Sequence, residues 1–215
     1  MSGLADLLVR RVRELRPLRS SYRDAELLTF PVPGGGPEVV EALNIMQQFP
    51  SASLARPTVE RLHLLVEAAR IAHADHTAHI MAGGANDGAA FAGGYLTDGH
   101  ARERAALIQP GRAVPDEALS SGGPMPDFGD HTTHVSVIDR DGTMVSLTQT
   151  LCRVYGGKIA TPGLGFPYNC CLEFLDFENP SSPFYLRPRG IYPSSMTPTI
   201  VRRGTSVAVL GGAGS

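Results

Sequence analysis

Two stretches, Asp130-His-Thr-Thr-His-Val-Ser-Val137 and Met144-Val-Ser-Leu-Thr-Gln-Thr150, alternate polar and apolar residues at period two around Asp139-Arg-Asp-Gly142. Successive side chains of a strand point to opposite faces, so the pair reads as a β-hairpin. The loop length sets its register. A two-residue turn at Asp141-Gly142 would set Val135 opposite Thr148 and mix the faces. A three-residue loop with Gly142 in the left-handed conformation pairs Val135 with Leu147 and Val137 with Val145, giving one apolar face. The other face then carries Ser136 opposite Ser146, His134 opposite Thr148 and Thr132 opposite Thr150. Directly opposed Cβ atoms lie about 4.5–5.5 Å apart, so this register sets two threonine hydroxyls side by side at the strand ends.

Upstream of the hairpin, the first 110 residues or so read as mostly helical. Leu4, Leu7, Leu8 and Val12 suit a short amphipathic helix. A strand-like run, Glu26-Leu-Leu-Thr-Phe30, precedes the loop Pro31-Val-Pro-Gly-Gly-Gly-Pro37. Pro37 suits a first helical turn, where its missing N–H is not needed. Val39, Val40, Leu43 and Met46 then recur at helical spacing. A longer helix is predicted from about Val59 to Ala78, with Leu62, Leu65, Val66 and Ala69 on its apolar stripe. Gly83 to Gly94 reads as a loop, His100 to Ile108 as a short helix, and Pro110 to Asp130 as an extended linker. Beyond the hairpin, strands are predicted at Arg153–Ile159, Thr199–Arg203 and Thr205–Leu210. The stretch Val207-Ala-Val-Leu-Gly-Gly-Ala-Gly-Ser215 is a strand running into a glycine loop, as expected of a piece of a longer protein. The chain thus reads as α+β in two regions: 1–131, mostly helical with a linker at 110–131, and 132–215, mostly β.

The 215 residues suffice for one sizeable domain or two small ones. A net charge of −2 argues against a nucleic-acid partner. No apolar run reaches the roughly 18 residues of a membrane-spanning helix. Asp6, Arg10, Arg11 and Arg13 interrupt any secretory apolar core at the start, and the compartment stays open. Cys152, Cys170 and Cys171 match no zinc spacing and cannot form a dense disulfide framework, and the adjacent Cys170 and Cys171 read by default as buried small hydrophobes. His73, His76 and His79 lie near Asp75 at helical spacing; His76 and His79 could share a face as a metal pair, but the stretch reads as an ordinary helix face and no metal is expected. Arg102, Arg104 and Arg112 read as solvated surface.

The segment Asp130-His-Thr-Thr-His-Val-Ser-Val137, with Asp139-x-Asp-Gly142 and Ser146-Leu-Thr-Gln-Thr-Leu151, closely resembles the start of the small subunit in the gamma-glutamyltransferase family. These are N-terminal-nucleophile (Ntn) hydrolases. The resemblance continues through Pro193-Ser-Ser-Met-Thr-Pro-Thr-Ile200 and the final Gly-x-Gly-Ser. Upstream, Arg13-x-x-x-Pro-Leu-Arg-x-x-Tyr22, the Pro31-x-Pro-Gly-Gly-Gly loop, Val40-Glu-Ala-Leu-Asn44 and Glu67-Ala-x-x-x-Ala-x-Ala-Asp75 resemble the end of the large subunit. The resemblance implies an αββα four-layer Ntn sandwich, incomplete in this chain, with large and small subunits cut from one precursor.

It also implies a chemistry: transfer or hydrolysis of a γ-glutamyl group, as from glutathione. Thr132 would attack the carbonyl of His131, and the new N-terminal amine would then serve as base for its own hydroxyl. No cofactor is needed, because the nucleophile carries its own base. Thr150 would hydrogen-bond and tune the nucleophile, Ser194 and Ser195 would bind the substrate's α-carboxylate, and Gly214 and Ser215 would belong to the oxyanion loop. Read without the resemblance, Thr132 and Thr150 are ordinary strand residues, Ser194-Ser195 a turn, and the glycine run a tail. The departures fall where the family grips the α-amino group of glutamate. Cys152 stands at an Asn position, Cys171 at a Gln position, and Phe174 near the expected Asp. Asn169 fits, and Glu173 or Asp176 are candidates for the carboxylate. A thiol is a poor replacement for an amide. A related amidase or acylase with another acyl specificity, or an inactive fragment of such an enzyme, is therefore the alternative.

Overall fold

The computed structural model describes Val12 and residues 14–81, 94–119, 131–180, 185–187, 192 and 194–213. The predicted helix that begins at Leu4, apart from Val12, most of the Gly83–Gly94 loop and residues 120–130 of the predicted linker lie outside the described residues. The first strands, β1 (Leu18–Tyr22) and β2 (Ala25–Thr29), form a hairpin. The polar alternation of Leu18-Arg-Ser-Ser-Tyr22 hid β1 within a region expected to be mostly helical. Helix α1 (Gly36–Gln47) follows the glycine loop with Pro37 in its first turn, as predicted. A single turn, α2 (Ser51–Leu54), leads to the long α3 (Val59–Met81), and α4 (Asp98–Ala105) completes the helical layer.

The hairpin of β3 (Thr132–Ile138) and β4 (Met144–Thr150) has the predicted register, from Thr132 opposite Thr150 to Ile138 opposite Met144. Gly142 takes φ +83°, the left-handed position that the three-residue loop requires. Strands β5 (Thr199–Arg203) and β6 (Ser206–Leu210) form the last hairpin. It joins the first to make an antiparallel four-stranded sheet in the order β1-β2-β5-β6. The join at β2–β5 spans most of the chain and is marked by a buried pair of hydroxyls, Thr29 and Thr199, 2.9 Å apart. The predicted strand at Arg153–Ile159 is not formed. Tyr155, Gly156 and Lys158 all have positive φ, and the segment is a run of turns.

The helical layer is held by an apolar cluster of Ile45, Met46, Ala68, Ile71, Ala105, Ile108 and Val114. The predicted stripe of α3 is the wrong one: Leu62, Leu65 and Val66 are exposed, whereas Glu67, Ala68, Ile71, Ala72, Asp75 and His76 are buried. Among the buried polar residues of α3, Glu67, Asp75 and His76 have partners, and apolar periodicity could not reveal a stripe that carries them. Glu67 accepts from Arg70 at 2.9 Å and from the Val114 N–H at 3.0 Å. The start of the predicted linker is thereby packed onto α3. Asp75 takes both forks of Arg104, at 2.6 and 2.9 Å, so Arg104 is the half-buried partner of a buried carboxylate and not solvated surface. His100 Nε2 lies 2.9 Å from Asp75 and 3.1 Å from Glu41. His76 meets the Tyr95 hydroxyl at 3.0 Å, and His73 meets Glu38 at 3.2 Å. Burial lowers the His76 pKa to about 4, so the ring is neutral in the fold. Among the described residues no helix is long and apolar enough to cross a membrane.

Burial, reinforced by the neighbouring Asp75 carboxylate, raises the Glu41 pKa from 4.5 to about 11. Folding therefore takes up a proton at Glu41 between those values, and this contribution to stability is lost as pH rises. A fully raised carboxyl costs about 1.4 kcal/mol per pH unit across the window. Glu41→Gln keeps the shape and removes the titration. Urea unfolding at several values between pH 6 and 9 should show wild-type stability falling more steeply with pH than that of the variant. Parallel curves would contradict the assignment.

Candidate active site

The site is built at the open end of the β3–β4 hairpin. Thr132 and Thr150 face each other across the ladder, and both are half-buried. The Thr150 hydroxyl donates to the carbonyl of His131 at 3.2 Å and accepts from the Cys152 N–H at 2.9 Å. The carbonyl so engaged belongs to the His131–Thr132 peptide bond. A cavity of about 360 Å³ opens beside it, lined by His131, Thr133, Gln149, Thr150, Leu151, Phe166 and Pro167.

The chain leaves β4 through a sharp turn. Cys152 has φ +71°, a left-handed conformation that non-glycine residues adopt at some cost and that Asn tolerates best. The turn aims the Cys152 N–H at Thr150. Its side chain forms a buried disulfide with Cys171, Cα to Cα 5.7 Å. This corrects the default reading of Cys171 as a free buried residue, and it places Cys152, a candidate substrate contact, in the same bond. The bond closes a loop of 19 residues, for which chain entropy predicts about 3 kcal/mol of stabilisation.

Other links tie residues 169–174 to the end of β4. The Cys170 N–H donates to the Leu151 carbonyl at 3.1 Å, and Arg153 donates to Glu173 at 2.7 Å. Asn169 accepts from the Cys171 N–H at 3.1 Å. Glu173 thus sits next to the disulfide with an arginine already on it. Asp176 accepts from the Glu178 and Asn179 N–H groups, 2.9 Å each, and closes a local turn. Phe174 is buried against the disulfide. Cys170, the free thiol, is held above its usual pKa by burial and then by Glu173.

Ser194 and Ser195 lie against the glycine loop that precedes α1. The Ser194 N–H donates to the Pro33 carbonyl at 2.9 Å, and the Gly35 N–H donates to the Met196 carbonyl at 3.1 Å. A Cβ on Gly35 would come within 2.8 Å of the Ser195 carbonyl, and one on Gly36 within 2.0 Å of the Phe30 carbonyl. Two motifs more than 150 residues apart in sequence are therefore one structural unit, and its glycines are required by close backbone approach. Ser194 is buried and Ser195 exposed. Tyr192, which sequence reasoning did not single out, packs on the disulfide cluster. Among the described residues no direct hydrogen bond joins Ser194 or Ser195 to Thr150. Gly214 and Ser215 lie outside the described residues.

A family profile described as gamma-glutamyltranspeptidase matches residues 3–215. A glutathione hydrolase proenzyme from Pseudomonas sp. (strain A14) is 32% identical over 96% of this chain and 37% of its own length. An acylase ACY 1 proenzyme from Pseudomonas sp. (strain V22) is likewise 32% identical, over 96% of this chain and 36% of its own. The chain thus spans little more than a third of these curated relatives. The cephalosporin acylase of Bacillus halodurans superposes with a TM-score of 0.71 at 22% identity, covering 93% of this chain and 34% of that one. The helix-and-sheet arrangement is therefore that of part of the cephalosporin acylase fold, and the curated relatives carry the names of enzymes. A hairpin that opposes Thr132 to Thr150, and a profile that runs through nearly the whole chain, give one conclusion: this chain belongs to the gamma-glutamyltranspeptidase family.

Proposed function

We propose that Thr132 is the nucleophile of an amide hydrolase or transferase, and that it is released by cleavage of the His131–Thr132 bond. The observation that carries this reading is the Thr150 hydroxyl on the His131 carbonyl. In the precursor, Thr132 Oγ attacks that carbonyl carbon. The Thr150 O–H stabilises the charge that develops on the carbonyl oxygen. The Oγ proton passes to the leaving nitrogen as the C–N bond breaks, an ester forms through Thr132 Oγ, and water hydrolyses it to a His131 carboxylate and a free Thr132 amine. Residues 1–131 then belong to a large subunit and 132–215 to a small one. The free amine has an ordinary pKa of about 7.7–8.0, so an appreciable share is neutral at physiological pH and can take the proton from Oγ. Attack on a substrate amide gives an acyl-enzyme, the leaving amine takes the proton, and water or a second amine receives the acyl group.

The donor proposed is a γ-glutamyl amide such as glutathione. Ser194 and Ser195, held on the Pro33–Gly35 loop, would offer hydroxyls to its α-carboxylate, and Gly214 and Ser215 would supply oxyanion donors. A specific observation favours the second reading, an acylase of different acyl preference. Cys152 and Cys171, which stand where the family places amide side chains, are spent on a disulfide. Glu173, the carboxylate nearest that position, is neutralised by Arg153. A substrate ammonium would find fewer partners there.

Thr132→Ala should abolish cleavage, leaving a single band on a denaturing gel. Thr150→Val keeps the shape and removes the donor, and it should slow cleavage by about 10²-fold. Cleavage of the Thr132→Ala variant at the same bond, or unchanged kinetics in Thr150→Val, would overturn the assignment.

Acyl specificity is read from the kcat/KM ratio of a γ-glutamyl anilide to its des-amino glutaryl analogue. Losing one amide contact to the ammonium costs about 1–3 kcal/mol. The wild type should therefore discriminate weakly, and Cys152→Asn with Cys171→Gln should shift the ratio toward the γ-glutamyl substrate. Strong wild-type preference for the γ-glutamyl anilide would contradict the acylase reading.

A further inference from the structure

The glycine run after β6 starts hard against the hairpin. The His134 ring lies between two hydroxyls, with Nδ1 2.8 Å from Thr148 Oγ1 and Nε2 2.9 Å from Ser136 Oγ. Both ring nitrogens are engaged, so the plane of the imidazole is fixed. A Cβ built on Gly211 would fall 2.0 Å from His134 Cε1 and 2.3 Å from Nδ1. The backbone of Gly211 therefore packs directly on the ring, and the ring fills the space a side chain would need. One residue earlier, Ser146 donates to the Leu210 carbonyl at 2.8 Å. Every hairpin residue in these contacts belongs to the polar face: Thr132–Thr150, His134–Thr148 and Ser136–Ser146 are alternate opposed pairs of the ladder. At about 3.3 Å of rise per residue, His134 stands roughly 7 Å from Thr132 along the same face.

We infer that His134 is a positioning residue: its imidazole, set by Thr148 and Ser136, clamps the Gly211 end of the glycine run to the strand that carries Thr132. Glycine is required at 211 because the clamp leaves no room for Cβ. The catalytic consequence rests on the acyl-transfer reading above, since the same run is proposed to supply the oxyanion donors. The clamp itself is a contact between two sheets and stands without it.

Two readouts on the purified protein separate the clamp from the chemistry. The first is amide hydrogen exchange by mass spectrometry. His134→Ala should speed exchange over residues 211–213 by at least about tenfold and leave Thr199–Arg203 unchanged, with His134→Asn in between. The second is turnover of a γ-glutamyl anilide by Gly211→Ala, alone and combined with His134→Ala. The single substitution should lower kcat by about 10²-fold or more with little change in KM, because it displaces donors that act in the transition state. Removing the ring makes room for the methyl, so the double variant should recover at least about tenfold over Gly211→Ala, a coupling that independent sites would not show. Unchanged exchange in His134→Ala, an active Gly211→Ala, or a double variant no better than Gly211→Ala would overturn the inference. Exchange that responds as expected in a protein that turns over no anilide would support the clamp and count against the acyl-transfer reading.

Discussion

One hydroxyl organises the centre of this molecule. Thr150 donates to the carbonyl ahead of Thr132 and accepts from the N–H of Cys152. Both bonds need the hairpin register that opposes residues 132 and 150, and a shift by one residue would turn the hydroxyl to the other face. That register in turn needs Gly142 at positive φ and four β-branched or leucine residues agreeing on one side. The left-handed turn at Cys152 brings its N–H round to Thr150, and the disulfide to Cys171 anchors that turn.

The two faces of the hairpin have different surroundings. The polar face is half-buried except at Ser136 and meets the end of β6 through Ser146 and His134. The apolar face, Val135, Val137, Val145 and Leu147, is between 45% and 49% exposed. Such a face normally packs on another layer of structure. Away from the hairpin, a buried polar network joins α1, α3 and α4 through Glu41, Asp75, His100 and Arg104. Its charges are matched within the cluster, which is the condition under which buried polar groups can be kept.

The hairpin was legible from sequence because period two, a glycine turn and matched faces all pointed to one register. Helices α1 and α4 and the strands β5 and β6 were legible for the same reason, local pattern and local structure agreeing, whereas the single turn α2 carried no such pattern. The long helix was legible as a helix but not in its orientation, since Leu62 and Leu65 look like core and Glu67 and Asp75 look like surface until their partners are known. Arg104 was misread for the same reason. The pairing of Cys152 with Cys171 depends on a turn at 152 and a return at 169–171 that no periodicity encodes. Likewise, the meeting of Pro33–Gly35 with Ser194–Met196 is a long-range contact, visible in sequence only as two separate motifs of the same family.

The account turns on which peptide bond is cut, because the Thr150 hydroxyl marks a single carbonyl. N-terminal sequencing of the smaller chain in the purified protein reads this directly. The account predicts Thr-Thr-His-Val-Ser, beginning at Thr132. A smaller chain that begins at any other residue, Thr133 included, would contradict it, as would a protein that stays uncut while turning over its substrate.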